Sequence, residues 1–309
     1  ALDDYLTGDA ADNHALFNHL YPDYRRIKAA GEFDAVFDPL PVDLASLKAY
    51  IVWLSDTATK INAAEKAMAL RQAKTILGVA SVFENIYLQR RKPSDFGRIY
   101  YDGTSIQNVN KELRRAVLGN CWEYDIRSSV VSWKMGYAKV YLSLQPGEQD
   151  LRRAFSATLC FLEDKDDFMA TVRYAVFEKD SRVPKDLQKD LLKQAFTAIS
   201  FGAKHNSRGW PNDQGGWTNS AIADIIQNSE ERERFLSDAT VVKFTTEQHA
   251  LDNFIFFLVK LRRKDLLKKS ILQTPSGLPS KSKILAYLYQ HDETEIMNVV
   301  RDKIGRAHV

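Results

Sequence analysis

The chain reads WEYDIRSS from Trp122 to Ser129, and this stretch decides the fold that the sequence predicts. A short apolar strand is expected to end at the carboxylate of Asp125, and a helical pattern begins at about Ser129. A strand end holds such a carboxylate rigidly at the edge of a cleft, and two-metal phosphoryl transfer needs oxygen ligands of this kind for Mg²⁺. Taken alone, an acidic residue before a helix is more often a helix cap.

The composition is that of a globular chain with an ordinary core. Its 309 residues, 45% of them hydrophobic, suffice for two or three subdomains. The net charge of +3 neither requires nor excludes a nucleic-acid partner. Cys121 and Cys160 are too few for a disulfide framework or a cysteine-based zinc site, which favours a reducing, cytoplasmic location. The longest apolar run, Phe254 to Val259, is too short to span a bilayer, and no secretory signal is recognised.

The segment before this stretch is predicted to be mainly helical. Residues 41–92 repeat apolar side chains at helical spacing, with Asp43 as a plausible N-cap. The run Arg90-Arg91-Lys92-Pro93 is interpreted as the stop of that helical region. Residues 97–118 differ, since they are rich in turn formers and polar amides.

The chain after Ser129 is also predicted to be helical, apart from a polar, glycine-containing loop over residues 205–220. The overall expectation is an α+β fold, mostly helical with a small sheet. The helices are expected at 150–204 with a break at Pro184, at 221–268, and at about 280–304.

A row of lysines marks one of these helices. Lys185, Lys189 and Lys193 recur every four residues and are followed at the same spacing by Thr197 and Phe201. Lysines on one helix face can bind phosphates, and an aromatic ring one turn further can stack on a base. On spacing alone, a solvated surface face is the commoner explanation. A glycine directly after Phe201 is a plausible helix end.

Several motifs in one order along the chain together resemble the A-family polymerase superfamily, most closely its single-subunit phage-type RNA polymerases. Residues 122–126 are similar to the first palm motif of the family. Lys193, Thr197, Phe201 and Gly202 match the fingers-helix motif in spacing. The stretches that resemble the lead-in to the palm motif are Gly97-Arg98-Ile99-Tyr100, Ser105-Ile106-Gln107-Asn108-Val109 and Arg114-Arg115.

The resemblance implies a role for each matching residue. Asp125 would bind Mg²⁺, and Lys193 would neutralise the triphosphate with Lys189 in the place of a family arginine. Phe201 would lie beside the sugar and the templating base, on a nucleotide-binding helix that Thr197 and Gly202 complete. Asp125, Lys193 and Phe201 would thus form the catalytic centre. The implied contacts to template and primer backbone are Arg98, Gln107, Asn108 and Arg114.

The choice between ribonucleotides and deoxyribonucleotides is predicted from the position five residues after Asp125, where this chain differs from the DNA polymerases of the family. DNA polymerases of the family usually carry a glutamate there as a gate against the 2′-hydroxyl, whereas this chain has Val130. Phage RNA polymerases have a small residue at that position, and the run from Lys193 onward also looks more like their version. Phe201 lacks the hydroxyl that RNA polymerases normally carry there. RNA synthesis is nevertheless the favoured prediction.

The second catalytic aspartate of the family is not found at its usual hairpin. His291-Asp292 looks like the His-Asp pair, but the apolar side chains around it repeat every four residues and predict a helix. Gln290 instead resembles a glutamine on the preceding palm helix that touches the duplex minor groove. The second aspartate is therefore expected beyond Val309, with Asp292 as the alternative metal ligand and an inactive homologue as a further alternative.

The resemblance implies a right-hand polymerase core with a small antiparallel palm sheet and Mg²⁺ as cofactor. The expected partners are a DNA template, NTPs, nascent RNA and a second polymerase subunit, as in heterodimeric phage RNA polymerases, in a phage-infected or plasmid-bearing bacterial host. Two alternatives stay open, namely a phage or plasmid DNA polymerase or primase, and a non-catalytic nucleic-acid-binding subunit. The implied regions are a helical N-terminal region (1–95), palm (96–145), fingers (146–244) and the second part of the palm (245–309).

Overall fold

The structure is a computed structural model that describes residues 8–56, 62–94, 98–121, 126–142, 148–177, 181–203, 208–211 and 216–307. The chain divides into two compact units, unit 1 over residues 1–125 and unit 2 over residues 126–309. Both are mainly helical, and unit 1 contains a small antiparallel sheet. The predicted α+β class is therefore confirmed in this coarse form.

Polar side chains begin several helices of unit 1 by accepting backbone N–H groups. Asp43 accepts from the backbone N of Ser46 at 2.9 Å, which confirms the predicted cap. Asn62 and Asn110 act in the same way at later helices. The described helices of unit 1 are α1 (Ala10–Leu20), α2 (Tyr24–Ala29), α3 (Phe33–Val36), α4 (Leu44–Ser55), α5 (Ala63–Val82) and α6 (Lys111–Leu118).

The sheet of unit 1 consists of β1 (Phe37–Pro41), β2 (Ile86–Lys92) and β3 (Tyr100–Tyr101), with β2 in the centre. Antiparallel pairing places Phe37 opposite Arg90 and Arg91 opposite Tyr101. Phe37 is fully buried in the core that the sheet shares with α4 and α5. Two of the three strands thus lie within residues 1–95, the region for which helices were expected.

The predicted helical structure over residues 86–92 was wrong, because these residues form β2. After α5 ends, Glu84 and Asn85 adopt positive φ angles of 50° and 61°, and the chain turns back to pair with β1. The basic residues interpreted as a helix stop lie in this strand. Arg90 and Arg91 each form an ion pair with an aspartate, 67 and 53 positions away. Such long-range partners leave no trace in local periodicity.

Unit 2 confirms the helices predicted after Ser129 and on both sides of Pro184. Within the predicted loop, β4 (Arg208–Pro211) and β5 (Trp217–Asn219) form an antiparallel pair. Among the described residues, no helix has the length and apolar character needed to cross a membrane. The described helices of unit 2 are α7 (Ser129–Leu142), α8 (Glu148–Ala154), α9 (Ser156–Glu163), α10 (Lys165–Val176), α11 (Lys185–Ser200), α12 (Ala221–Ile225), α13 (Ser229–Ser237), α14 (Ala239–Arg262), α15 (Lys264–Lys268) and α16 (Lys281–Ala307).

An aromatic cluster fixes the orientation of α11 in unit 2. Phe196 of α11 is buried, and its ring contacts those of four other phenylalanines at centroid distances of 5.3 to 5.7 Å. Ring contacts of this kind favour edge-to-face packing and add to the area that is buried. Because this face of α11 is held in the core, its opposite face is exposed. The other members of the cluster are Phe161, Phe168, Phe235 and Phe244.

Candidate functional site

The exposed face of α11 carries the predicted lysine row. Lys185, Lys189, Lys193 and Thr197 all lie on this helix and are exposed. The ammonium of Lys189 lies 3.6 Å from the carboxylate of Asp166, and both side chains are mostly exposed, so this pair is weak. Thr197 Oγ1 donates to the backbone carbonyl of Lys193 at 2.7 Å. Whether these side chains bind phosphate stays a prediction.

The helix ends where the sequence predicted, at Phe201 and Gly202. Gly202 adopts a φ of 88°, which glycine tolerates and other residues rarely adopt. The backbone N of Ala203 donates to the carbonyl of Ala198 at 2.9 Å, and that of Gly202 donates to Ile199 at 2.8 Å. This is a Schellman end, which closes the helix and leaves the ring of Phe201 55% exposed.

A cavity of about 480 Å³ opens beside this helix end. Phe201 and Gly202 line it together with Val130 of α7, the residue at the predicted sugar position. The ring of Phe201 meets that of Tyr289 edge to face, with centroids 5.7 Å apart and an interplanar angle of 78°. The rest of the lining comes mainly from α14, the start of α16 and the turn before α16. Two separately predicted motif positions therefore share one cavity.

A buried ion pair lies in the wall of the same cavity. Lys134 Nζ on α7 is 2.6 Å from Asp252 Oδ1 on α14, and the two side chains are 3% and 7% exposed. Lys134 Nζ also donates at 2.7 Å to the carbonyl of Ser200, the last residue of α11. Burial lowers the pKa of Lys134, and the adjacent Asp252 carboxylate opposes that shift. One ammonium group thus joins three helices directly before Phe201.

Asp292 lies in helix α16, as the helical spacing predicted, and its carboxylate is held by aromatic donors. Its Oδ2 accepts hydrogen bonds from Trp133 Nε1 at 2.8 Å and from the hydroxyl of Tyr137 at 3.0 Å. It lines a second cavity, of about 720 Å³, which shares Trp133 and Tyr289 with the first. Two donors on one carboxylate oxygen favour a structural role for Asp292 over the alternative role as a metal ligand.

The predicted nucleic-acid contacts of unit 1 hold a loop together. Gln107, Asn108 and Arg114 each donate a side-chain hydrogen bond to a backbone carbonyl within residues 99–106, at 2.6 to 3.0 Å. Arg98 is exposed. These bonds explain why polar amides are concentrated in this segment, because a turn leaves backbone carbonyls that need donors. The binding of nucleic acid by these residues stays a prediction.

Asp125 falls outside the described residues, together with the remainder of the strand predicted to end there. Among the described residues, no three His, Cys, Asp or Glu side chains form a cluster of the kind that holds a metal ion. The Mg²⁺ site expected at Asp125 stays a prediction. Gln290 lies on α16, and its Oε1 is buried without a hydrogen-bond partner among the described residues. A contact between this oxygen and a duplex would require the oxygen to become accessible.

Sequence reasoning missed the buried pair of Lys134 and Asp252. A signal was present, because Lys134 continues the four-residue spacing of Val130 and Ala138, which are both buried on α7. A lysine on an apolar helix face requires a buried partner. The partner could not be identified, since Asp252 lies far along the chain on α14 and only the fold brings the two together.

The chain was compared with models of protein families, with curated proteins and with solved structures. None of the three comparisons gives a match. Any function assigned to the chain therefore rests on its own residues and on the geometry of the cavity at the end of α11.

Proposed function

We propose that the chain catalyses template-dependent nucleotidyl transfer, as a DNA-directed RNA polymerase that adds NTPs to nascent RNA. The observation that supports this proposal is the arrangement of residues at the end of α11. The row that contains Lys189 and Lys193 leads to Phe201 and Gly202, and these two residues line a cavity together with Val130. The resemblance places Phe201 and Gly202 of the fingers-helix motif, and the sugar-gate position Val130, beside the bound nucleotide. Because these residues line one cavity, they support the binding of a single ligand there.

The chemistry of this place suits a nucleoside triphosphate. A volume of about 480 Å³ lies within the range of roughly 300–1,000 Å³ that is usual for small-molecule sites. Lys189 and Lys193 lie on α11 before the cavity rather than in its lining, and they would attract the phosphates as point charges. The exposed ring of Phe201 offers a surface for a base, and such stacking contributes about 1–3 kcal/mol.

Val130 supports the use of ribonucleotides. It is 7% exposed and lines the cavity, so its apolar side chain, rather than a carboxylate, faces this space from the gate position. An apolar wall does not exclude a ligand merely because it carries an additional hydroxyl. The proposal therefore includes NTPs as substrates, a DNA template, and a second polymerase subunit as a partner.

Mg²⁺ would supply charge neutralisation at the reacting phosphates when it is bound. The residue assigned to it is Asp125, by resemblance alone, since the described residues offer no ligand cluster. The part played by the described residues in this proposal is to bind and orient the nucleotide. Lys193 holds the phosphates and Phe201 holds the base and sugar.

The direct test is incorporation of labelled nucleotide on a primed DNA template in the presence of Mg²⁺. The chain is expected to incorporate NTPs, and Asp125→Ala is expected to abolish incorporation while template binding is retained. Lys193→Gln should lower kcat/KM for the nucleotide by about 10- to 100-fold, because a hydrogen bond to a charged group contributes roughly 1.5–3 kcal/mol. Lys139→Gln, an exposed lysine at the far end of α7, is the matched control and should change nothing.

The other outcomes separate the alternatives. Exclusive use of dNTPs would support the DNA polymerase or primase in place of the RNA polymerase. Template binding without product, even with the natural partner added, would support the non-catalytic subunit. Full activity in Asp125→Ala would remove the metal role from that residue, and full activity in Lys193→Gln would reject the phosphate contact.

A further inference from the structure

Residues 260–283 are much more positively charged than the rest of the chain. This stretch contains eight Lys or Arg residues and a single acidic residue, Asp265, whereas the net charge of the whole chain is +3. The remainder of the chain is therefore net acidic. All eight basic side chains are exposed. They are called the basic cluster, and they are Lys260, Arg262, Arg263, Lys264, Lys268, Lys269, Lys281 and Lys283.

Hydrogen bonds connect α16 with α14 and with the chain that follows α15. Lys281 Nζ, in the first turn of α16, donates to Asn253 Oδ1 of α14 at 2.8 Å. Lys269 Nζ, which follows α15, donates to the hydroxyl of Tyr287 on α16 at 3.2 Å. The basic residues at the end of α14, on α15 and at the start of α16 therefore belong to one region of unit 2.

Within residues 260–283, Asp265 is the single acidic side chain among eight basic ones. Asp265 pairs with Arg263 at 3.1 Å, and both side chains are more than half exposed, so the pair is weak. The first turn of α16 carries Lys281 and Lys283 and no acidic residue. This charge is opposite to the one that the start of a helix favours. Mutual repulsion of these cations would be relieved by a polyanionic ligand.

Apolar side chains and the cavity adjoin the cluster. Phe257 and Leu261 are one helical turn apart near the end of α14, and they are 56% and 58% exposed. Lys281 of the cluster and its partner Asn253 also line the cavity at the end of α11. A run of cations beside an exposed aromatic ring is the combination with which proteins bind single-stranded nucleic acid, through phosphates and base stacking.

We propose that the basic cluster binds the phosphodiester backbone of single-stranded nucleic acid next to the cavity, with Phe257 stacking on a base. An anionic membrane also presents phosphates, but the continuity of the cluster with the cavity through Lys281 favours a strand that is used at that cavity. The inference rests on the proposed function for the identity of the strand, as the template. The charge argument itself does not depend on catalysis.

The test is binding of a fluorescein-labelled oligodeoxythymidylate to the full chain, followed by anisotropy over a range of salt concentrations. The wild-type chain is expected to bind with a steep salt dependence. Lys264→Gln/Lys268→Gln should weaken binding on the order of tenfold and lower the slope of log K against log salt by about 1.4, at roughly 0.7 per phosphate contact to a single strand. Lys139→Gln/Arg153→Gln removes the same charge from exposed positions of unit 2 outside the cluster and should leave binding unchanged.

Three results would overturn the proposal. They are no binding of the oligonucleotide by the wild-type chain, equal losses in the two double variants, and binding to phosphatidylserine vesicles without binding to the oligonucleotide. Circular dichroism of both variants checks that they fold, which is expected for exposed side chains. Oligonucleotide binding without nucleotide incorporation would support the basic cluster as a binding surface and contradict the proposed catalysis. Nucleotide incorporation that is unchanged in Lys264→Gln/Lys268→Gln would support catalysis and contradict the basic cluster as the template-binding surface.

Discussion

Replacement of Lys134 by methionine is expected to destabilise the chain strongly. The substitution keeps an unbranched side chain but removes the ammonium group that lies 2.6 Å from Asp252. The Asp252 side chain is 7% exposed, so its charge would be left buried without a counter-ion. The carbonyl of Ser200 would lose its donor at 2.7 Å as well. Breaking a buried pair by removing one partner costs about 3–5 kcal/mol.

The measurement is urea unfolding, followed by circular dichroism and tryptophan fluorescence. With an m-value of about 2 kcal/mol/M, the expected loss lowers the unfolding midpoint by about 2 M. Lys134→Met/Asp252→Leu removes both charges and should lose only about 1–2 kcal/mol, because the carbonyl of Ser200 is then the main group left unsatisfied. The double-mutant cycle should therefore give a coupling energy of at least about 2 kcal/mol.

Two outcomes would refute this reasoning about the buried pair. A loss below about 1 kcal/mol in Lys134→Met would mean that water reaches Asp252. Strictly additive losses in the double variant would mean that the two charges act independently. In either case Lys134 would not be the group that fixes the end of α11 beside the cavity.

Three further predictions address other parts of the chain. Asp292→Asn should lower the free energy of unfolding by about 1 kcal/mol, because the hydrogen bond from Trp133 would then go to a neutral amide oxygen instead of a carboxylate. Nucleotide incorporation should stay intact. Loss of incorporation at unchanged stability would favour the metal-ligand role of Asp292. Burial raises the pKa of Tyr87 to about 12, so its stabilising contribution is complete below pH 10 and is lost as the pH rises through about 12. Tyr87→Phe should accordingly flatten the fall of unfolding free energy across that window, and an unchanged profile would contradict this. Gly119→Ala should cost about 3 kcal/mol in thermal unfolding, because Gly119 has a φ of 64° and an added Cβ would collide with the Asp43 carboxylate that caps α4. Gly31→Ala is the control and should cost about 1 kcal/mol, because Gly31 has a φ of 70° but open space around it. Equal losses in the two variants would refute the collision.

Helix boundaries were predictable where local chemistry fixes them. Asp43 caps α4 because its side chain reaches a backbone N–H three residues on. Pro184 precedes α11, and Gly202 ends it with a positive φ. Asp292 was correctly predicted to lie in a helix from the four-residue repeat around it. Each of these signals acts over one or two turns and is therefore present in the sequence itself.

Residues 86–92 show where local reasoning fails. The run Arg90-Arg91-Lys92 looks like a basic helix end, yet β2 forms there because β1 and β3 lie on either side of it. Arg90 and Arg91 are neutralised by aspartates far along the chain. Strand pairing depends on contacts that are distant in sequence, so periodicity within a segment does not determine it.

By itself, the sequence determined the helical character of unit 2, the exposed lysine face of α11 and the helix end at Gly202, because these follow from the 3.6-residue period and from backbone sterics. The tertiary structure alone decided that Val130 and Phe201 line one cavity and that Lys134 pairs with Asp252. It also decided that Lys281 of the basic cluster reaches that cavity. These relations are distances between helices, and helix packing sets such distances through side chains that lie far apart along the chain.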